Sequence, residues 1–97
     1  MDISNIEATI EAVLFAMGES VEVDKIAIAI NHDVDTTKKI VHNMMDKYEA
    51  ADRGIRIIEL ENSFQLCTKV EFYENLIKVA SQPRKYRWMR KKWIFRI

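Results

Sequence analysis

Ile55-Arg56-Ile57-Ile58-Glu59-Leu60-Glu61-Asn62-Ser63-Phe64-Gln65-Leu66-Cys67-Thr68 is the stretch that decides the fold. Residues 55–61 are rich in β-branched side chains, and residues 64–68 alternate, the pattern of two half-buried strands. Asn62-Ser63 between them fits a tight hairpin turn. In that pairing Phe64, Leu66 and Thr68 share one face of the second strand, and Ile58 and Leu60 are their expected partners on the first. A lone hairpin is marginal in water, so its apolar face has to pack on something else.

The sequence upstream supplies it. Ile3, Ile6, Ile10, Val13, Leu14 and Met17 recur every three or four residues, the period of an amphipathic helix. Ser4 with Glu7 has the spacing of a capping box, Asp2 is an equally good cap, and Gly18 supplies the stop. A short second helix fits residues 23–30, followed by an Asn31-His32-Asp33 turn. A third begins near Asp35 or Thr36, carries Ile40, Val41, Met44, Met45 and Tyr48 on one face, and closes at Asp52-Arg53-Gly54. Residues 71–80 return to helical spacing through Phe72, Leu76 and Val79, flanked by Tyr73 and Ile77, and Pro83 limits continuation. Three helices, a β-hairpin wing and a fourth helix make a mainly α (α+β) winged helix-turn-helix with one core shared between wing and bundle.

Ninety-seven residues leave room for one compact domain. The longest apolar runs fall far short of the ~20 residues a bilayer requires. A single cysteine, Cys67, cannot form an internal disulfide, so a cytoplasmic location is expected. The formal net charge of zero hides an asymmetry. Residues 1–83 hold all 15 acids against eight Lys and Arg, a balance of −7, whereas residues 84–97 carry seven cations and no acid. The expected organisation is an acidic winged-helix domain, 1–83, and a basic aromatic tail, 84–97.

Signatures of catalysis fail in turn. Gly18 and Gly54 stand alone, so there is no phosphate-binding loop. His32 and His42 lack zinc-site spacing; His32 belongs in the turn and His42 on the solvated side of the third helix. Cys67 has no evident base beside it, and the five methionines read as core filler. Glu7 and Glu11, one turn apart, look like an ordinary solvated face. No catalytic residue, cofactor or metal site is expected.

DNA recognition is the general expectation for a winged helix, and neutralised phosphates supply most of such affinity. Here the third helix balances Lys38, Lys39 and Lys47 against Asp35, Asp46 and Glu49, and the wing sets Arg56 against Glu59 and Glu61. Protein partners are therefore favoured, with a small nucleic-acid-binding winged-helix protein as the alternative. Opposite the core stripe of the first helix, Ala8, Ala12 and Phe15 form a second apolar strip. Either the fourth helix or the tail covers it, or it is the contact of a homodimer.

The residues also carry a family resemblance. The run from Ile6 to Glu19, Ile-Glu-Ala-Thr-Ile-Glu-Ala-Val-Leu-Phe-Ala-Met-Gly-Glu, resembles the opening of ScpB, segregation and condensation protein B. Arg53-Gly54 with the aliphatic strand after it, and Phe64-Gln65-Leu66-Cys67-Thr68, are similar to that family's strand and return strand. The resemblance runs from about Ile3 to Arg87. It implies a non-catalytic scaffold that homodimerises, binds the kleisin ScpA and through it joins the SMC ATPase at the nucleoid in chromosome condensation and segregation. It also implies two winged-helix domains in tandem, of which the first, associated with dimerisation, is the one this sequence matches. The departure lies at Trp88-Met89-Arg90-Lys91-Lys92-Trp93-Ile94-Phe95-Arg96-Ile97, which reads as a truncated or non-native end and puts kleisin binding in doubt. In that tail Arg84, Lys85, Arg87, Trp88, Arg90, Lys91, Lys92 and Trp93 are candidate contacts to single-stranded nucleic acid or an anionic membrane surface. The alternatives are a tail with no selected role or one that folds back on the acidic domain.

Overall fold

The computed structural model describes residues 2–80. Helix α1 (Ile3–Met17) opens on Asp2, whose carboxylate accepts from the Asn5 N–H at 3.0 Å and from Ser4 Oγ at 2.9 Å. Asp2 is thus the cap used, and those bonds hold its carboxyl below the usual range. No Ser4–Glu7 capping box forms, because Ser4 already lies inside the helix and its hydroxyl donates to Asp2. Gly18 ends the helix at φ 66, its N–H donating to the Leu14 carbonyl. A residue with a Cβ resists that left-handed backbone by roughly 1–2 kcal/mol.

A short strand β1 (Val21–Glu22) follows and leads directly into α2 (Val23–Ile30). Asn31 closes α2 at φ 59. Helix α3 (Val34–Ala50) starts earlier than expected: its cap is Asp33, not Asp35 or Thr36. Asp33 accepts from both the Thr36 N–H, 3.0 Å, and the Thr36 hydroxyl, 2.7 Å, so Thr36 is the donor that reads the cap. Those two bonds, the hydroxyl one foremost, keep the Asp33 carboxyl below its ordinary value.

The wing is β2 (Ile55–Leu60) and β3 (Ser63–Thr68), antiparallel, joined through Glu61 and a left-handed Asn62 at φ 55. The turn lies one residue earlier than Asn62-Ser63, and in a sheet one residue changes the face. Ile57, not Ile58, stands opposite Leu66, and Glu59 opposite Phe64. Ile57 is accordingly buried, Ile58 is half-buried and Leu60 is exposed. Strand β1, which periodicity in the sequence did not reveal, pairs with β3 through Val21 and Phe64, giving the sheet order β1-β3-β2. A two-residue strand has no period to detect; the Val23 N–H bond to the Asn62 carbonyl, 2.9 Å, fixes it at the turn.

Ile6, Ile10 and Leu14 of α1 meet Ile26 and Ile30 of α2, Val41, Met44 and Tyr48 of α3, and Ile57, Phe64 and Leu66 of the sheet in one core. Ile3 and Met17 share its azimuth but lie beyond its ends, 56% and 51% exposed, so they are not core residues. Ile40 and Met45 pack at the margin. Cys67 is buried in β3, and that burial pushes its thiol pKa up.

After β3, the Lys69 N–H bonds the Gly54 carbonyl at 2.8 Å, and its ammonium the Ala51 carbonyl at 3.1 Å. A 3₁₀ turn (Val70–Phe72) then leads to α4 (Tyr73–Ala80). This helix exists where its period places it but buries none of its residues. It does not cover the α1 strip, since Ala8, Ala12 and Phe15 are all exposed. The expected boundary at Pro83 and the tail 84–97 lie outside the described residues.

Leu14 and Phe64 are fully buried, so truncation leaves cavities. Leu14→Ala is expected to lose about 2–5 kcal/mol and Phe64→Ala about 3–5 kcal/mol. Ile3→Ala is expected to stay within about 0.5 kcal/mol of wild type. Urea unfolding midpoints check all three.

Candidate protein-interaction surface

Alpha-helical spacing that sends Ile6, Ile10 and Leu14 inward sends Ala8, Ala12 and Phe15 to the opposite side of α1. Phe15 is 67% exposed, an unusual position for a benzyl side chain, with two small alanines below it that let another backbone approach. This is the strip expected from the sequence, and its three residues do lie together on one open face.

Between that strip and the C-terminal half of α3 runs a groove of about 260 Å³. Its apolar part is Ala8 and Met44, and its rim is charged. Lys47 Nζ lies 2.9 Å from Glu7 Oε1, and Asn43 adds a longer bond to the same carboxylate, 3.4 Å. The Glu7 side chain keeps only 17% of its exposure, so it is not the solvated residue its spacing implied. Tyr48 donates its hydroxyl to Glu11, and Arg53 stands by that pair. Burial, helped by the Glu11 hydrogen bond and charge, pushes the Tyr48 phenol up to about 12. Glu7 and Lys47 are 40 residues apart, a separation at which sequence offers no pairing signal.

Two further ionisable side chains of α3, His42 and Glu49, pair with the wing. His42, exposed as expected, puts Nε2 3.0 Å from Glu59 Oε1 and its ring edge-on to Phe64, with centroids 5.8 Å apart. Arg56 reaches Glu49 at 2.9 Å. Lys38 and Lys39 are the α3 lysines without an ion-pair partner among the described residues. The described residues hold all 15 acids and eight Lys and Arg, a balance of −7. A duplex meets little here to neutralise its phosphates.

One surface went unanticipated. Phe72, Ile77 and Val79 around α4 are exposed, 39%, 57% and 40%, although Phe72 and Val79 carry the helical apolar spacing of this segment. Helical period identifies an apolar face but not whether its own chain supplies the cover. The candidate contacts Arg84, Lys85, Arg87, Trp88, Arg90, Lys91, Lys92 and Trp93 lie outside the described residues. Among the described residues no group of His, Cys, Asp and Glu side chains could hold a metal ion, and no helix is long and apolar enough to cross a membrane.

Residues 8–92 match the model of the family described as segregation and condensation complex subunit ScpB. The chain belongs to the ScpB family. Segregation and condensation protein B of Lachnoclostridium phytofermentans is 60% identical over 86 residues, covering 89% of this chain and 46% of that protein. The Agathobacter rectalis protein of the same name is 46% identical over 82 residues, 84% of this chain and 44% of its own length. The chain therefore spans a little under half of these ScpB relatives. A crystal structure of a dimer of an ScpB N-terminal domain complexed with ScpA peptide superposes with TM-score 0.75 at 28% identity, covering 79% of this chain and 96% of that one. ScpB from Mycobacterium tuberculosis shares the fold, with TM-score 0.78 at 21% identity over 84% of this chain and 51% of that one. These likenesses establish the winged-helix fold and the family's place in chromosome segregation and condensation.

The raised Tyr48 pKa sets an alkaline limit. The folded state holds the neutral phenol, so its contribution is fully present below pH 10.0, the ordinary tyrosine value, and is lost as pH rises towards about 12. The stability gap between wild type and Tyr48→Phe is expected to be constant below that window and to narrow within it. Urea unfolding in an alkaline pH series measures the gap.

Proposed function

We propose that this chain is a non-catalytic interaction module of the SMC–kleisin complex, one that self-associates through α1 and engages the kleisin ScpA. The observation that carries the reading is the uncovered strip of Ala8, Ala12 and Phe15 opposite the core. Helical rise is about 1.5 Å per residue, so Phe15 lies about 4.5 Å above Ala12 and Ala8 about 6 Å below it. An antiparallel crossing at Ala12 thus brings each Phe15 over the other copy's Ala8, a self-complementary arrangement that a two-fold dimer requires. The dimer described for the ScpB N-terminal domain structure supports the same reading.

Magnitude limits what the strip does alone. Burying two phenylalanine rings contributes about 3–6 kcal/mol, whereas a micromolar dimer needs about 8 kcal/mol net of lost freedom of motion. The strip is the anchor, and further apolar surface has to join it. Ile77 and Val79, exposed on α4, are apolar surface that could join it.

Light scattering coupled to size exclusion tests this reading. Wild type is expected to run as a dimer at micromolar concentration, and Phe15→Glu as a monomer with unchanged helical circular dichroism, because Phe15 contributes nothing to the core. A folded Phe15→Glu variant that stays dimeric would reject the interface. Duplex DNA titrated against residues 1–83 alone is expected to leave them unbound; tight, salt-sensitive binding by that acidic domain would favour the nucleic-acid reading instead.

A further inference from the structure

We infer that α4 is an arm that closes on a second copy of this chain, its apolar face holding Phe15 of that copy against Ala8. This rests on the self-association read above and adds the element that completes the contact. At about 100° per residue, Tyr73, Leu76, Ile77, Val79 and Ala80 fall within an arc of about 160° around α4. None of them is buried. A surface helix with an apolar arc that wide turns it toward a packing partner. Eight residues without packing also have little helical stability of their own.

The position of the arm says what covers it. Its root is fixed to the end of α3: Phe72 lies against Gly54, where an added Cβ would stand 3.8 Å from the ring, and the Lys69 ammonium holds the Ala51 carbonyl at 3.1 Å. That end of α3 also flanks the α1 strip, since Tyr48 and Arg53 line one groove with Ala8. A two-fold crossing at Ala12 delivers Phe15 of the second copy to Ala8, on the side of the domain where α4 begins. Each copy then gives one ring and one arm and receives one of each, so a single symmetry axis covers both exposed features. Two rings alone fall short of a micromolar dimer, and α4 brings apolar area that the contact lacks. The basic stretch 84–97 is a poorer occupant. The polar side of α4 sets Glu74 against Lys78, a balance that gives seven cations no purchase.

Hydrogen exchange read by mass spectrometry tests the arm on the full chain, at concentrations on either side of dimerisation. Amides of residues 73–80 are expected to exchange at least about tenfold more slowly in the dimer, and to lose that protection in the Phe15→Glu monomer. Light scattering on Ile77→Glu supplies the second readout. Ile77 is 57% exposed and outside the core, so the variant is expected to keep the protection of α1 to α3 while dimerising at least about tenfold more weakly. Lys39→Glu, at an exposed α3 position away from the strip, adds the same kind of charge and is expected to dimerise like wild type. Protection of 73–80 that ignores concentration means that the chain covers α4 itself, and overturns the arm. An Ile77→Glu dimer as tight as wild type, or an equal loss at Lys39→Glu, overturns it too. Each of those results leaves the α1 contact standing, whereas a monomeric wild type removes both.

Discussion

Phe64 and Leu66, fully buried beneath α1, are the contact on which the rest of the molecule depends. A wing of two strands has no independent stability, and helices this short gain little from propensity alone. Each half is made possible by the apolar surface of the other. The sheet order follows from the same requirement: β3, which brings Phe64 and Leu66, is central, flanked by β2 and by the two residues of β1. With neighbours on either side, β3 buries every residue from Ser63 to Cys67, polar Gln65 included. Once that contact exists, α1 has only one face left to offer, and it is the one that carries Phe15.

Charge then decides what kind of surface that leaves. The ion pairs of this domain run between elements: Glu7 to Lys47 joins α1 to α3, while His42 to Glu59 and Arg56 to Glu49 join α3 to the wing. Exposed pairs of this kind contribute about 0–1 kcal/mol each, so their weight in stability is small. Their consequence for recognition is larger. Lys47 and Arg56 are turned to carboxylates of the same chain, which leaves Lys38 and Lys39 as the α3 lysines without such a partner among the described residues, and these residues keep a balance of −7. Fold resemblance to DNA readers does not carry their function across when the electrostatics are reversed.

Much of this was legible in the sequence, and the reasons differ by element. Helix α2 occupies the residues its pattern specifies, and Gly18 stops α1 because few other residues take φ 66 without strain. The α1 strip was visible because helical geometry alone sets which residues oppose the core. Misreadings cluster where one residue of phase matters. Placing the turn at Asn62-Ser63 instead of Glu61-Asn62 exchanges Ile57 for Ile58 at the core. Asp33 and Asp35 are both competent caps by type, and only the donors of Thr36 distinguish them. Relations over long separations were beyond periodicity: the Glu7–Lys47 pair, the Tyr48–Glu11 bond and the groove they rim depend on how α1 crosses α3. The bareness of α4 was equally hidden, since an amphipathic pattern reads the same whether its cover comes from within the chain or from elsewhere.

Lys69 has a mechanical meaning. Its backbone N–H holds Gly54 and its buried ammonium holds Ala51, so one residue staples the exit of the wing to the end of α3. The segment that leads into α4 departs from this staple with no intervening loop. Tension applied through α4, as when two bound molecules are drawn apart, therefore enters the body at a rivet instead of a hinge. Part of that load passes to Ala51 at the end of α3, so the last residues of β3 do not carry it alone.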